Sequence, residues 1–320
     1  MRSTLLIGLL VASSSAACSS ASGGGGSQGI GDPCDATSQL CAEGGSCDYS
    51  SATPTCLDDT ADPDGDGIPN KLDHCPTKVG GMFDEDNDGI GDECDRCPIA
   101  KPSGVADRDG DDVDSPCDPD PSTPGDKILL FDGFNGTLDT TRWTPDITGV
   151  WTVQGGELVA RLPTQDPPSF LTANVVPTAN VSVQMSYRVD KVETGGPTHI
   201  VSAQMVDVRP AGVAGFDCGV VKSDIGTAGE VVDLETDLSA VSHVAAIGAF
   251  DSARLYRSAA YASGATVGCV VIGDNTALAA IQGTLTPDSL GTVKVTARAV
   301  TARYQWVLVV GHANATSAAN

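Results

Sequence analysis

The chain has 320 residues, and 42 acidic side chains against 18 basic ones leave a formal net charge of −24. A surface of that sign repels nucleic acid and anionic lipid and excludes both as charge-driven partners. Beyond the N-terminus no stretch is apolar for long enough to span a bilayer.

Residues 1–18 read as a targeting signal. Arg2 supplies the positive end, Leu5 to Val11 the apolar run, and Ser15-Ala16-Ala17-Cys18 a small-residue site. A Cys directly after small residues resembles the bacterial lipoprotein lipobox, which implies acylation of Cys18 and a membrane anchor. Ser15 departs from that pattern, where an apolar residue usually stands, so ordinary secretion is the alternative. The chain has eleven cysteines, and setting Cys18 aside leaves an even ten. An exported chain with that parity is expected to pair them as disulfides.

Residues 19–31 form a Gly/Ser tether spanning on the order of 20 Å. Residues 32–57 carry Cys34, Cys41, Cys47 and Cys56 around a Gly44-Gly45 turn. So short a segment cannot bury a self-sufficient core, so two bridges must hold it. Three pairings are open, with Cys34–Cys47 and Cys41–Cys56 preferred. A structural spacer is the expected role.

Residues 58–126 hold twenty-one acids and five basic side chains, a net of −16. Within them one aspartate pattern recurs three times, starting at Asp62, Asp84 and Asp107, at a period of about 22 residues. Counted from its first Asp, each copy places oxygen donors at positions 1, 3, 5, 9 and 12. The first copy offers Asp62, Asp64, Asp66, Asn70 and Asp73. The second offers Asp84, Asp86, Asp88, Asp92 and Asp95, and the third Asp107, Asp109, Asp111, Ser115 and Asp118. This is the spacing of an EF-hand loop, in which position 7 donates a backbone carbonyl, here from Ile68, Ile90 and Val113. Six to eight hard oxygens suit Ca²⁺. Position 6 needs a sharp turn, which Gly67 and Gly89 make cheaply. Asp112 stands there in the third copy, which is expected to be the weakest site. A disordered acidic linker is the rival reading, but a linker has no reason to repeat ligand spacing. Without metal such a segment repels itself, so folding and metal binding are coupled.

The D-x-D-x-D-G-I and C-P motifs, including Cys94-Asp95-Arg96-Cys97-Pro98, resemble thrombospondin type 3 repeats. That resemblance implies the bridges Cys75–Cys94 and Cys97–Cys117. Zinc at Cys94 and Cys97 is the rival, and it lacks a second close pair. Pro76, Pro98 and the bridges deny these loops the flanking helices of a calcium switch. They are expected to act as struts, forming a rod that holds the following domain away from the membrane.

From Lys127 onward β-branched residues take over. Val181, Val183, Met185, Tyr187 and Val189 alternate onto one face of a strand. Further strands are expected at 128–131, 151–153, 158–162, 199–208, 267–272, 292–300 and 304–310, with Gly155-Gly156 as a hairpin turn. Short strands without a helical period indicate a mainly β fold, a two-sheet jelly-roll sandwich over residues 127–320. Phe131-Asp132-Gly133-Phe134-Asn135-Gly136, Leu138-Asp139-Thr140, Arg142-Trp143 and the run from Trp151 to Leu158 resemble the opening of concanavalin A-like lectin/glucanase (LamG-type) domains. Cys218 and Cys269 are expected to pair; if reduced, they would be ordinary buried residues.

Glycosidases of that fold carry acidic strand motifs, and the nearest match is Glu230, Asp233 and Glu235. The first gap is one residue too long to bring all three onto one face, so a polar edge strand or loop is the alternative reading. The four histidines are scattered, and His74 adjoins a loop by accident of sequence. Trp143, Trp151 and Trp306 are candidate sugar platforms, with core positions as the alternative. The expectation is therefore a non-catalytic, calcium-binding lipoprotein of the outer membrane or cell surface. Its jelly roll would bind a glycan or a surface protein; a polysaccharide hydrolase or lyase is the alternative.

Overall fold

The computed structural model describes residues 28–34, 40–50, 53–101, 107–162, 168–193, 198–207, 215–223, 229–236, 241–247, 251–284 and 290–312. The targeting segment, Cys18 and most of the tether lie outside them. All regular structure in the described residues is β, and no helix there is long and apolar enough to cross a membrane. The strands in chain order are β1 (Gly45–Asp48), β2 (Thr55–Asp58), β3 (Asp126–Asp132), β4 (Thr144–Pro145), β5 (Trp151–Val153), β6 (Leu158–Leu162), β7 (Ser169–Thr178), β8 (Asn180–Val192) and β9 (Thr198–Asp207). They continue with β10 (Gly215–Ser223), β11 (Gly229–Thr236), β12 (Val241–Ala246), β13 (Tyr256–Ser263), β14 (Thr266–Gly273), β15 (Thr276–Thr284), β16 (Leu290–Arg298) and β17 (Val300–His312).

The N-terminal module is the hairpin β1–β2, bridged by Cys34–Cys47 and Cys41–Cys56. Residues 59–125 contain no strand among those described; turns, two bridges and aspartate side chains shape them. The bridges are Cys75–Cys94 and Cys97–Cys117, as the thrombospondin resemblance implies.

From Asp126 the chain forms a two-sheet antiparallel jelly-roll sandwich. One sheet runs β12-β11-β10-β9-β16-β7-β4, and the other β15-β14-β13-β8-β17-β6-β5 with β3 also on β17. The alternating residues of β8 all face the core, with Val181, Val183, Met185, Tyr187 and Val189 at most 3% exposed. Cys218 on β10 and Cys269 on β14 pair across the core, tying one sheet to the other. Closing a loop of 51 residues in this way restricts the unfolded chain, worth about 4 kcal/mol on an entropic account. Gly155 and Gly156 both take positive φ, 65° and 77°, and turn β5 into β6 as expected.

Two expectations about the sandwich change. The strand placed at 292–300 stops at Arg298, because Ala299 takes φ of 50° and turns the chain into β17. Glu230, Asp233 and Glu235 lie on a strand that is not at the edge, since β12 pairs beyond it.

The third change concerns the rod. Trp306, Leu308 and Val310 of β17 point out of the sandwich, beyond a register shift between Tyr304 and Trp306. On their own they would leave an apolar stripe in water. Instead Cys97, Val113 and Cys117 of the acidic segment pack on them, with Ile99 and Ile128 beside. Each large side chain buried in this way contributes about 1.5–3 kcal/mol. The last repeat is thus a brace lying against the sandwich, not a free strut holding it away.

Candidate metal centres

The three aspartate loops share one conformation, built by repeated hydrogen bonds. Position 1 accepts the N–H of position 6 in each: Asp62 from Gly67 at 3.0 Å, Asp84 from Gly89 at 2.8 Å, Asp107 from Asp112 at 3.1 Å. Position 5 accepts the N–H of position 7: Asp66 from Ile68, Asp88 from Ile90, Asp111 from Val113, at 2.7, 2.8 and 3.0 Å. Position 6 takes positive φ throughout, 91° at Gly67, 99° at Gly89 and 72° at Asp112. Asp112 therefore holds the turn at the strain a side chain adds there. Position 4 does the same at Gly65, Asn87 and Gly110, a second Gly/Asn signal of the repeat beside that of position 6.

This backbone brings the carboxylates of positions 1, 3 and 5 together. In each loop, Asp62/Asp64/Asp66, Asp84/Asp86/Asp88 and Asp107/Asp109/Asp111, one oxygen per residue lies within 4.8 Å of the others. Position 12 closes the loop by splitting its carboxylate. Asp73, Asp95 and Asp118 each accept a backbone N–H two residues on, from Cys75, Cys97 and Asp120, at 2.7, 2.8 and 2.7 Å. The second oxygens of Asp73 and Asp118 are buried and accept no hydrogen bond.

The same orphaned state recurs at Oδ2 of Asp64 and Asp86, both oxygens of Asp109, and Oδ1 of Asn70. Asn70 donates its Nδ2 to the Asp58 carbonyl at 2.7 Å, which fixes the amide oxygen on the loop side. Buried oxygens without donors are costly unless a cation answers them. Their chemistry, carboxylate and amide oxygen with no sulfur or imidazole, is that of a hard-cation site.

Burial and mutual repulsion raise several of the carboxyl pKa values markedly. Asp86 is pushed up to about 6 by burial, then by Asp88 and Asp84. Asp95 rises to about 7 through burial, with Asp88, Asp86 and Asp114 adding to it. Asp118 rises to about 7 through burial and through Asp126 and Asp109.

Position 9 is less uniform. Asn70 serves the first loop, but Asp92 accepts the Glu85 N–H at 2.9 Å. After burial, the charges that act on Asp92 are Glu85, Glu93 and Asp84. Its Oδ2 lies near the sandwich at Gly133, where Glu85 also reaches and interacts with Asn135. Asp92 therefore stands at the seam between second repeat and sandwich.

Two acids outside the motif join the clusters. Asp114 is 5% exposed with Oδ1 unpartnered, near Asp107 and Asp88 and facing Arg96. Asp126, the first residue of β3, is 2% exposed and adjoins Asp118. Asp114 sits at position 8 of the third copy, where the other copies have Pro69 and Gly91, and the fold sets it beside Asp88 of the second loop. Asp126 is brought in by the fold alone. His74 lies 3.6 Å from Asp84, and His312 lies 3.2 Å from Asp126.

The other candidates resolve differently. All three tryptophans are buried, at 0%, 4% and 7% for Trp143, Trp151 and Trp306, so none offers a ring face to a sugar. Trp143 donates to Asp132 and Trp151 to Ser169, at 2.7 and 2.8 Å. Trp306 carries the Arg257 guanidinium 5.2 Å above its ring. On β11 the ladder to β10 stays in register from Gly229 to Thr236, so no bulge corrects the offset between Glu230 and Asp233.

Fold and site together define an all-β protein: a jelly-roll sandwich braced by acidic loops and a disulfide hairpin. No protein-family profile matches the chain, and no curated protein does. Among solved structures, one from a study of endo-acting O-glycanases of the human gut microbiota is similar over 58% of this chain and 100% of its own, at 10% identity and TM-score 0.45. An endo-β-galactosidase from Clostridium perfringens that releases GlcNAcα1-4Gal is similar over 60% of this chain and 65% of its own, at 13% identity and TM-score 0.43. Porphyranase B from Zobellia galactanivorans is similar over 60% and 96%, at 9% identity and TM-score 0.42. The fold assignment rests on the chain's own topology.

Proposed function

We propose that residues 62–118 are thrombospondin type 3-like repeats that bind three calcium ions, and that the ions rigidify a brace against the jelly roll. The observation that carries this is the set of buried oxygens without donors at the expected ligand positions of like-shaped loops. The ligand set is Asp62, Asp64, Asp66, the Ile68 carbonyl, Asn70 and Asp73; Asp84, Asp86, Asp88, the Ile90 carbonyl and Asp95, with Asp92 turned instead to the seam; and Asp107, Asp109, Asp111, the Val113 carbonyl and Asp118. Calcium would replace the protons and water those oxygens otherwise need, so binding and folding of the segment are one event.

In this reading the chain is exported, anchored through acylated Cys18, and displayed at the outer membrane or cell surface. The jelly roll binds a glycan or a surface protein without cutting it. The docked repeat adjusts that picture: the Gly/Ser tether, not a calcium rod, supplies the reach. The test is calorimetric titration of calcium into the chelated full chain, followed by a glycan array with and without the ion. Three equivalents of calcium and a rise in melting temperature are expected. Absence of heat and an unchanged melting temperature would end the calcium reading.

A further inference from the structure

We propose that Asp126, supplied by the sandwich, is a ligand of the cation held by the third acidic loop, so that this centre is built jointly by repeat and jelly roll. The inference rests on the calcium reading above and deepens it for one site.

The third loop is the one with a hydroxyl, Ser115, at position 9, where the others have an amide and a carboxylate. A carboxylate comes from elsewhere. Asp111 Oδ2 accepts the N–H of Gly125 at 3.0 Å and of Asp126 at 2.6 Å, which draws the start of β3 onto the loop. The Asp126 side chain is 98% buried there. Its Oδ1 faces His312 Nδ1 at 3.2 Å, and its Oδ2 has no partner. The Asp118 carboxylate is within hydrogen-bonding reach of it, and Asp118 Oδ2 and both Asp109 oxygens are equally without donors. Two ionised carboxylates side by side are acceptors only, and a cation between them is what satisfies both.

The first loop supplies a control. There Asp66 Oδ2 accepts the N–H of Gly80 at 3.0 Å, fourteen residues on, as Asp111 does with Gly125. The next residue is Gly81, and a Cβ on it would stand 2.1 Å from the position-12 carboxylate of Asp73. The same place therefore holds no side chain in the first loop and a buried carboxylate in the third. Asn70 completes the first loop and Asp126 the third. His312, paired with Asp126 across β3 and β17, then orients the ligand in the way outer-shell partners do.

Because Asp126 begins the strand that pairs with β17, the third ion would tie the repeat to the sandwich. The rival is that Asp126 serves only as the ion-pair partner of His312. Calcium titration of the full chain with Asp126→Asn separates them. The expected result is two sites of unchanged affinity and a third weakened at least tenfold. Three sites with wild-type affinities would overturn the proposal while leaving the calcium reading intact. A wild-type chain that binds no calcium would instead end that reading, and this proposal with it. Should Asp126→Asn not fold, a crystal structure of the wild-type chain with calcium decides: Asp126 Oδ2 about 2.3–2.6 Å from the third ion is expected. An Asp126 carboxylate outside that shell would overturn it.

Discussion

Asp111 and Asp126 are joined through the backbone: the Asp111 carboxylate accepts the Asp126 N–H at 2.6 Å, and its other oxygen accepts that of Val113. One side chain thus organises both the loop and the entry into the sandwich, whether or not a metal is bound. Asp111→Ala should therefore destabilise even the calcium-free protein. Each buried N–H left without its acceptor costs about 1–3 kcal/mol. Because Gly125 and Val113 lose theirs too, three donors are affected, and a loss of about 3 kcal/mol or more in chelator is expected from denaturant unfolding. Asp109→Ala is the contrast, since neither Asp109 oxygen accepts a hydrogen bond. It should weaken calcium binding and leave the chelated protein at wild-type stability or above.

Trp306 is the largest side chain between the repeats and the sandwich, and it is 7% exposed. Trp306→Ala removes its contact with the Cys97–Cys117 region and uncovers Leu308 and Val310. A core truncation of this size costs about 3–5 kcal/mol. The brace should also loosen, so limited trypsin digestion is expected to cut at Arg96 or Arg108 faster than in wild type. Equal digestion rates would mean that the repeats keep their place without this contact.

Acidity should work on the two forms in opposite directions. Asp86 is held up at about 6 and Asp92, Asp95 and Asp118 at about 7, against an ordinary aspartate value of 3.8. Between those limits the calcium-free folded chain holds protons that the unfolded chain has released. Its stability therefore falls as pH rises from about 4 to about 7, then levels off. Calcium must displace the same protons, so affinity rises over that window. The gap in melting temperature between calcium and chelator should widen from pH 5 to pH 8. A gap that stays constant would place the ions away from these carboxylates.

Much of this was legible in the chain because the signals were dense and periodic. The aspartate spacing fixed which residues cluster, and β8 announced its inward face through large residues at every second position. β7, β10, β11 and β12 were not among the expected strands, though β7, β10 and β11 carry Val, Leu or Phe without a clean alternation. Two further strands are poor in large apolar residues. β13 reads YRSAAYAS and β15 reads TALAAIQGT, and their Ala and Ser carry little information about which face is buried. The docking of the third repeat was hidden for a different reason. Trp306, Leu308 and Val310 sit next to Val307 and Val309 in one apolar run; the pleat sends alternate members to opposite sides, and the register shift after Tyr304 decides which set faces the core. Asp126 could not be found from spacing at all, since tertiary contacts bring it to the third loop, and the same contacts set Asp114 of that loop beside Asp88 of the second.

Trp143 separates packing from recognition. Its ring is wholly buried against Phe134, at 6.0 Å between centroids, and its Nε1 donates to Asp132 Oδ2 at 2.7 Å. Asp132 also accepts the Phe134 N–H at 2.7 Å, holding Phe134 at φ of 54°. The indole therefore closes the turn that opens the sandwich. Trp143→Phe keeps most of the apolar volume but takes the donor from a largely buried carboxylate, which costs about 1–3 kcal/mol. Thermal unfolding should register that loss, while any glycan affinity found for the full chain should remain within about twofold of wild type. A variant that folds with an intact near-ultraviolet spectrum and loses glycan binding would make Trp143 a sugar platform and contradict its burial. Unchanged stability would instead mean that water replaces the indole donor at Asp132 without penalty.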